Sequence, residues 1–183
     1  NDRAGEVGRT MTADDFDLEQ LFVKDGVKVL HLSGLIAALS EKTSALCLAL
    51  ARKAKENGTL VSFDLNYRTS FWVNREKELR AAFTEIASLS DILVGNEEDF
   101  QLALGIDGPE AGGKDLLAKT DAFRGMIDRV RTVFPNASVF ATTLREVESA
   151  NSHLWGAVML YGDEFYTAPA RRIEVLDRIG GGD

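Results

Sequence analysis

Short apolar segments alternate with longer amphipathic segments over most of this chain, and this alternation constrains the fold more than any other feature. Strands are predicted at 27–34, 59–66, 91–96 and 137–144. Amphipathic helices are predicted after each of the first three strands and again at 121–134. Because neighbouring parallel strands need a crossover that is usually helical, the pattern predicts a doubly wound α/β unit with a mostly parallel sheet.

Capping and turn residues mark where several of these segments end. Ser40 is predicted to cap the first helix, and the pair Asn57-Gly58 to end it. Beyond residue 153 the pattern changes to two apolar strands, HLWGAVMLY and EFYTAPA, joined by Gly162-Asp163. A two-residue connection of this type predicts a hairpin of antiparallel strands at one edge of the sheet.

Composition limits the partners that the chain can have. Its 183 residues, 45% of them hydrophobic, are enough to bury the core of one domain or most of one. The 21 basic and 29 acidic residues give a net charge of −8 and no basic run, so neither nucleic acid nor a membrane is an expected partner. The single cysteine, Cys47, lies on the apolar face of the first helix, which predicts a buried thiol and fits a cytoplasmic protein. The sequence leaves a homo-oligomer open.

Polar residues follow the second predicted strand, at the end of the sheet where ligands bind in folds of this class. Asp64, Asn66 and Arg68 are spaced by two, so their side chains project in a similar direction if the strand stays extended. An amide beside a guanidinium suits a hydroxylated, anionic small molecule. The alternative is that Asp64 and Asn66 begin a turn in which such side chains bond their own backbone.

A second polar group, Asn96-Glu97-Glu98-Asp99, follows the third predicted strand. Several carboxylates at a ligand-binding strand end could hold the water shell of Mg²⁺. The alternative is structural, because Asn96 is a good helix N-cap and acids in a first turn complement the helix dipole.

Two glycine-rich segments invite comparison with phosphate-binding loops. GPEAGGKD at 108–115 has the spacing G-x-x-x-x-G-K-[ST], but Asp115 replaces the hydroxyl and no strand leads into it, so we interpret it as a surface loop. RIGGGD at 178–183 has a stronger chemical logic, since glycine N–H groups can surround a transferring phosphoryl group and the following carboxylate can accept a proton. A flexible glycine-rich tail is the alternative for this segment.

RIGGGD, preceded by Asp177, resembles the D-T-x-G-A-G-D signature of the ribokinase-like (PfkB) carbohydrate kinases. DLNYR at 64–68, NEED at 96–99 and TTLRE at 142–146 resemble further elements of that family, in the same order, over residues 27–183. Within the family these segments are most similar to 2-keto-3-deoxygluconate kinases. The resemblance implies a ribokinase-like three-layer α/β/α sandwich and ATP-dependent phosphorylation of a primary hydroxyl on a sugar or sugar acid. A fructokinase or ribokinase-type kinase is the alternative.

The resemblance also implies roles for individual residues. Asp183 is the expected catalytic base, and the anion hole is expected at Gly180, Gly181 and Gly182. Asn66 and Arg68 are expected to face the sugar or the transferring phosphate. Asn96, Thr143 and Arg145 are expected near ATP, and Mg²⁺ is expected near Asp177 and, through water, near Asp99. Asp99 stands where the family usually has Glu, and Gly181 where it usually has Ala.

Members of this family are much longer than the present chain, so we expect residues 1–183 to form a partial sugar-kinase α/β domain. On this expectation the N-terminal region with its lid, and the C-terminal nucleotide-binding helix and loops, are absent. A chain of these 183 residues alone would then be inactive, because the helix amides behind the glycines help to hold phosphate. A truncated sugar- or nucleotide-binding fragment without catalysis is the corresponding alternative.

Overall fold

The computed structural model describes residues 5–108 and 116–176, with the backbone alone described at 116–119. Three short helical turns, Val7–Thr10, Ala13–Asp15 and Gln20–Lys24, precede the first strand. The elements that follow are β1 (Val29–Ser33), α1 (Gly34–Leu39), α2 (Glu41–Glu56), β2 (Leu60–Asp64), α3 (Thr69–Trp72), α4 (Glu76–Leu89), β3 (Ile92–Val94), α5 (Glu97–Leu104), α6 (Leu116–Val133), β4 (Val139–Val147), β5 (Ser152–Tyr161) and β6 (Glu164–Glu174).

The described strands form one six-stranded sheet in the order β1-β2-β3-β4-β5-β6. The pairs from β1 to β4 are parallel, and β5 and β6 add to β4 as the predicted antiparallel hairpin. The predicted α/β class is therefore confirmed. Because parallel crossovers are right-handed and this strand order never reverses, α2, α4, α5 and α6 cover one face of the sheet. A doubly wound sheet needs a reversal of strand order, so the described part of the chain supplies the sheet and one helical layer.

A single row of large apolar side chains runs across the sheet beneath these helices. The register places Leu32 beside Phe63, Phe63 beside Leu93, Leu93 beside Phe140, and Phe140 beside Leu160. All five side chains are buried, with at most 6% of their surface exposed. Burying a side chain of this size stabilises the fold by about 1.5–3 kcal/mol. This row explains why the predicted strands read as apolar and why their register is unique.

The opposite face of the sheet is more open. Several residues that alternate with the buried row are about half exposed, among them Val29 on β1, Leu60 on β2 and Tyr161 on β5. Met159 and Tyr166 lie on this same face, opposite each other on β5 and β6. The candidate site described below lies on this face.

Most local predictions are confirmed. Ser40 caps α2 by accepting a hydrogen bond from Thr43 N at 3.2 Å, and α2 ends at Asn57 followed by Gly58 with φ of +70°. Cys47 is buried in α2, as expected. None of the helices in the described part of the chain has both the length and the apolar character needed to cross a membrane.

Three helical details differ from the prediction. The short helices α1 and α3 were not anticipated, since six and four residues are too few to show a helical period. Helix α6 begins at Leu116 rather than near residue 121, in agreement with the high helix propensity of the sequence LLAK. The segment 109–115, which includes most of the glycine-rich loop interpreted above as a surface loop, lies outside the described residues.

Candidate functional site

A cleft of about 660 Å³ lies at the carboxyl ends of β2 and β3 and beside the first half of β4, on the open face of the sheet. Pockets that bind small molecules generally measure ~300–1,000 Å³. Five of the residues predicted from the sequence line it, namely Asn66, Arg68, Asn96, Asp99 and Thr143. The structure therefore brings together residues that are up to 77 positions apart in the chain.

The polar segment after β2 forms a turn, so of the two alternatives given above the strand does not stay extended through Asn66 and Arg68. Asn66 has φ of +38°, in the left-handed region that only Gly, Asn and Asp visit readily. Its backbone N–H donates to Asp64 Oδ1 at 3.2 Å, which is the turn considered as the alternative. Asn66 Nδ2 also donates to Ser33 Oγ at 3.3 Å, which ties the turn to the end of β1. The turn is compatible with a binding role, because its residues also line the cleft, and that role stays a prediction.

Close packing against Leu65 sets the position of this turn. A Cβ atom added to Gly34, the first residue of α1, would lie 1.9 Å from the backbone oxygen of Leu65. A Cβ atom on Gly95, after β3, would lie 3.1 Å from Leu65 Cδ1. Glycine is therefore required at position 34, and the turn is held between the ends of β1 and β3.

Asp99 lies at the base of the cleft and bonds two separate backbone segments. Its Oδ2 accepts from Asn96 N at 2.9 Å, while Asp99 N donates to Asn96 Oδ1 at 2.8 Å, which confirms Asn96 as the N-cap of α5. Its Oδ1 accepts from Tyr67 N at 2.9 Å. Burial raises the pKa of the Asp99 carboxyl, and the two backbone N–H groups and the Arg68 guanidinium oppose that rise in pKa. The nearby charge of Asp64 raises the pKa further.

Arg68 is exposed at the mouth of the cleft. Its Nη1 donates to the carbonyl oxygen of Tyr67 at 2.8 Å, which orients the guanidinium. A guanidinium held in this way can pair with a carboxylate or a phosphate. The cleft is therefore suited to an anion.

The two residues expected near the nucleotide on β4 lie in different surroundings. Thr143 lines the cleft. The guanidinium of Arg145, two residues further along, lies over the ring of Trp155, with 5.6 Å between its Cζ and the ring centroid. Arg145 is not among the residues that line the cleft, and its role near ATP stays a prediction.

One wall of the cleft was missed from the sequence. It is formed by the hairpin β5–β6, through Met159, Tyr166, Thr167 and Ala168. A signal was present, because a two-residue turn at Gly162-Asp163 pairs Tyr161 with Glu164 and hence Met159 with Tyr166. What the sequence did not show is that this face of the hairpin turns towards the ends of the parallel strands.

The expected catalytic segment is not described by the structure. Asp177, Gly180, Gly181, Gly182 and Asp183 all lie outside the described residues. Within the described ranges no group of three or more His, Cys, Asp or Glu side chains is placed to hold a metal ion. Mg²⁺ usually keeps several waters and binds through one or two carboxylates together with substrate phosphates. Asp64 and Asp99 in one cleft fit that mode of binding better than a closed metal cage.

Comparison with known proteins adds information that the geometry alone does not contain. Residues 9–145 match the model of a family described as pfkB family carbohydrate kinase. A 5-dehydro-2-deoxygluconokinase of Clostridium perfringens is 36% identical over 90 residues, which are 49% of this chain and 26% of that protein. A 2-dehydro-3-deoxygalactonokinase of Haloferax volcanii is 26% identical over 182 residues, which are 100% of this chain and 49% of that protein.

A solved structure extends the likeness to three dimensions. The crystal structure of 2-dehydro-3-deoxygluconokinase from Thermotoga maritima matches with a TM-score of 0.80 at 26% identity, over 93% of this chain and 48% of that one. This match confirms the predicted fold class. The chain spans about half the length of that protein and of the Haloferax volcanii relative.

Proposed function

The chain belongs to the pfkB family of carbohydrate kinases, and from this premise we propose that the protein transfers the γ-phosphoryl group of ATP to a primary hydroxyl of 2-keto-3-deoxygluconate. The observation that carries the proposal is the cleft at the carboxyl ends of β2 and β3, with the exposed guanidinium of Arg68 at its mouth. A keto-deoxy sugar acid offers both hydroxyl groups and a carboxylate to such a cleft. We further propose that residues 1–183 are part of one sugar-kinase domain.

Arg68 and Asn66 are the proposed substrate-binding residues. The guanidinium pairs with the carboxylate of the sugar acid or with the transferring phosphate, and the amide of Asn66 bonds a hydroxyl. The backbone bonds of the turn hold both side chains before substrate arrives, so little conformational entropy is lost on binding. This arrangement favours an anionic sugar over a neutral one.

Asp183 is the proposed catalytic base, and its carboxylate accepts the proton of the attacking hydroxyl. The N–H groups of Gly180, Gly181 and Gly182 hold the charge of the phosphoryl group. The proposed contacts of ATP are Asn96, Thr143 and Arg145. The proposed contacts of Mg²⁺ are Asp177 and, through a water molecule, Asp99. Mg²⁺ bound with ATP supplies positive charge that offsets the charge developing on the phosphates. The proposed location is the cytoplasm, where ATP is present. No step of the proposed reaction requires a nucleic acid, a membrane or a second subunit.

A second substrate is favoured by one comparison. The relative with 36% identity is a 5-dehydro-2-deoxygluconokinase, whose substrate is also a keto-deoxy sugar acid. The two acids differ in the positions of the keto and deoxy carbons, so the same guanidinium could bind either carboxylate. Fructose and ribose, by contrast, offer no carboxylate to Arg68.

The test is ATP-dependent ADP formation by the protein that carries this chain. We expect kcat/KM to be highest for one of the two keto-deoxy sugar acids and about 100-fold lower for fructose and ribose, since these sugars cannot form the charge-assisted hydrogen bonds of a carboxylate to Arg68. Asp183→Asn should leave substrate binding largely unchanged and remove most turnover. Asp121→Asn, on the exposed side of α6, is the matched control and should keep wild-type turnover. Normal turnover by Asp183→Asn would disprove the assignment of the base.

A further inference from the structure

We propose that Asp99 is a positioning residue, whose two carboxylate oxygens fix the turn carrying Asn66 and Arg68 against the start of α5. The role that we assign to the turn in binding substrate rests on the proposed function. The hydrogen-bonding arrangement itself does not depend on it.

The carboxylate bridges two segments that are distant in sequence. Oδ2 accepts from Asn96 N and Oδ1 from Tyr67 N, both at 2.9 Å, and the Tyr67 bond spans 32 positions of the chain. Asp99 is 7% exposed, so water cannot easily replace either bond. Hydrogen bonds to an ionised acceptor are stronger than neutral ones. One side chain thus joins the end of β2 to the end of β3.

The bond from Asp99 supplements the close packing around Leu65, because the hydrogen bonds of Asn66 within the turn are long. Asn66 is held with φ of +38°, an unfavourable conformation for a residue with a side chain. Its bonds to Asp64 and Ser33 are long, at 3.2 and 3.3 Å. The Tyr67 peptide, by contrast, is held on both sides, since Asp99 accepts from its N–H and Arg68 donates to its oxygen. The position of the Arg68 guanidinium therefore depends in part on Asp99, through the Tyr67 peptide group, while a backbone bond from Phe71 N to the carbonyl oxygen of Arg68 at 3.0 Å holds the other side of Arg68.

A carboxylate can accept from both backbone N–H groups at once, whereas an amide cannot. An Asn at position 99 has one acceptor oxygen, so its NH₂ group would face one of the two backbone N–H donors. Gly95 allows the close approach of α5, since a Cβ atom there would lie 3.1 Å from Asp99 Cβ. The negative charge and the length of the side chain both contribute to the arrangement.

Amide hydrogen exchange of Asp99→Asn, measured residue by residue, tests the arrangement without any ligand. We expect the Tyr67 amide to exchange about tenfold faster than in wild type, with amides of β2 and α4 unchanged. Glu98→Gln is the matched control, because it removes a charge from the same turn of α5 but is exposed. It should leave Tyr67 protected. Unchanged exchange at Tyr67 in Asp99→Asn, or an equal acceleration in every helix and strand, would overturn the proposal.

A kinetic measurement then tests the link to substrate. In Asp99→Asn we expect KM for the sugar acid, measured at saturating Mg²⁺, to rise about tenfold. An unchanged KM together with a shifted Mg²⁺ requirement would assign the side chain to the metal and overturn the positioning role. If wild type shows no kinase activity while Tyr67 loses protection in the variant, the proposed function fails and the bond between Asp99 and the turn stands.

Discussion

Gly34→Ala is the substitution whose effect can be worked out most directly from the structure. The new Cβ atom would lie 1.9 Å from the oxygen and 2.8 Å from the carbon of the Leu65 carbonyl, and 2.7 Å from Phe83 Cε1. Ordinary contacts begin at 3.4 Å, so a backbone group must move by more than an ångström. Overpacking of a rigid interior destabilises by about 1–3 kcal/mol, and we expect the upper part of that range because no side-chain rotation relieves the clash.

The same displacement should reduce activity. Leu65 immediately precedes Asn66, so a shift of its carbonyl moves the turn that bears Arg68. A misplacement of ~1 Å at a site can lower the rate by ~100-fold. Urea unfolding gives the change in stability, and kcat/KM on the sugar acid gives the change in activity.

Gly125→Ala is the matched control for this experiment. Gly125 lies within α6, and a Cβ atom there would have no other atom within 4 Å. Replacing glycine inside a helix should therefore stabilise the protein by ~0.5–1 kcal/mol and leave activity unchanged. If Gly34→Ala lost less than ~0.5 kcal/mol and kept its turnover, the argument from close packing at Leu65 would be refuted.

Three further predictions concern buried polar groups. Burial raises the pKa of the Cys47 thiol to about 12, so iodoacetamide at pH 8 should label it only after unfolding, and rapid labelling of the native protein would contradict this. Burial raises the pKa of Asp99 in the folded protein above its ordinary value of 3.8. The protonated carboxyl therefore stabilises the folded state below pH 3.8, and this stabilisation is lost as the pH rises through the folded-state pKa. The difference in unfolding free energy between wild type and Asp99→Asn should change across that window, and a pH-independent difference would be evidence against it. Asp91→Ala removes the acceptor that lies 2.8 Å from the buried Val61 N–H, and it should lower the free energy of unfolding by ~1–3 kcal/mol. Lys55→Ala removes only the ion pair with Asp91 and should lower it by ~1 kcal/mol or less. Equal losses for the two variants in urea unfolding would contradict the importance of the bond to Val61.

Much of the architecture could be predicted because its signals are local. The four parallel strands are apolar runs, and the ends of α2 and α5 are marked by the capping residues Ser40 and Asn96. The hairpin follows from Gly162, whose φ of +57° suits a two-residue turn. Each of these features depends on residues within a few positions of one another, so each can be recognised from the sequence alone.

The polar residues of the site were also found from the sequence, since parallel strands present their carboxyl ends at one edge of the sheet. Asn66, Arg68, Asn96 and Asp99 follow such strands, whereas Thr143 was expected only from the family resemblance, and all five line the cleft. Their roles in binding sugar, ATP or Mg²⁺ stay predictions.

Only the tertiary structure determined how these residues are held. The bond from Asn66 Nδ2 to Ser33, the bond from Tyr67 N to Asp99 and the contact of Gly34 with Leu65 join segments about 30 residues apart. The wall supplied by Met159 and Tyr166 likewise depends on how the hairpin lies against the parallel strands. The sequence by itself determined which segments become strands and helices, because backbone propensity and apolar periodicity act locally. Contacts between distant segments leave no local pattern, so the shape of the cleft and the position of its guanidinium came only from packing.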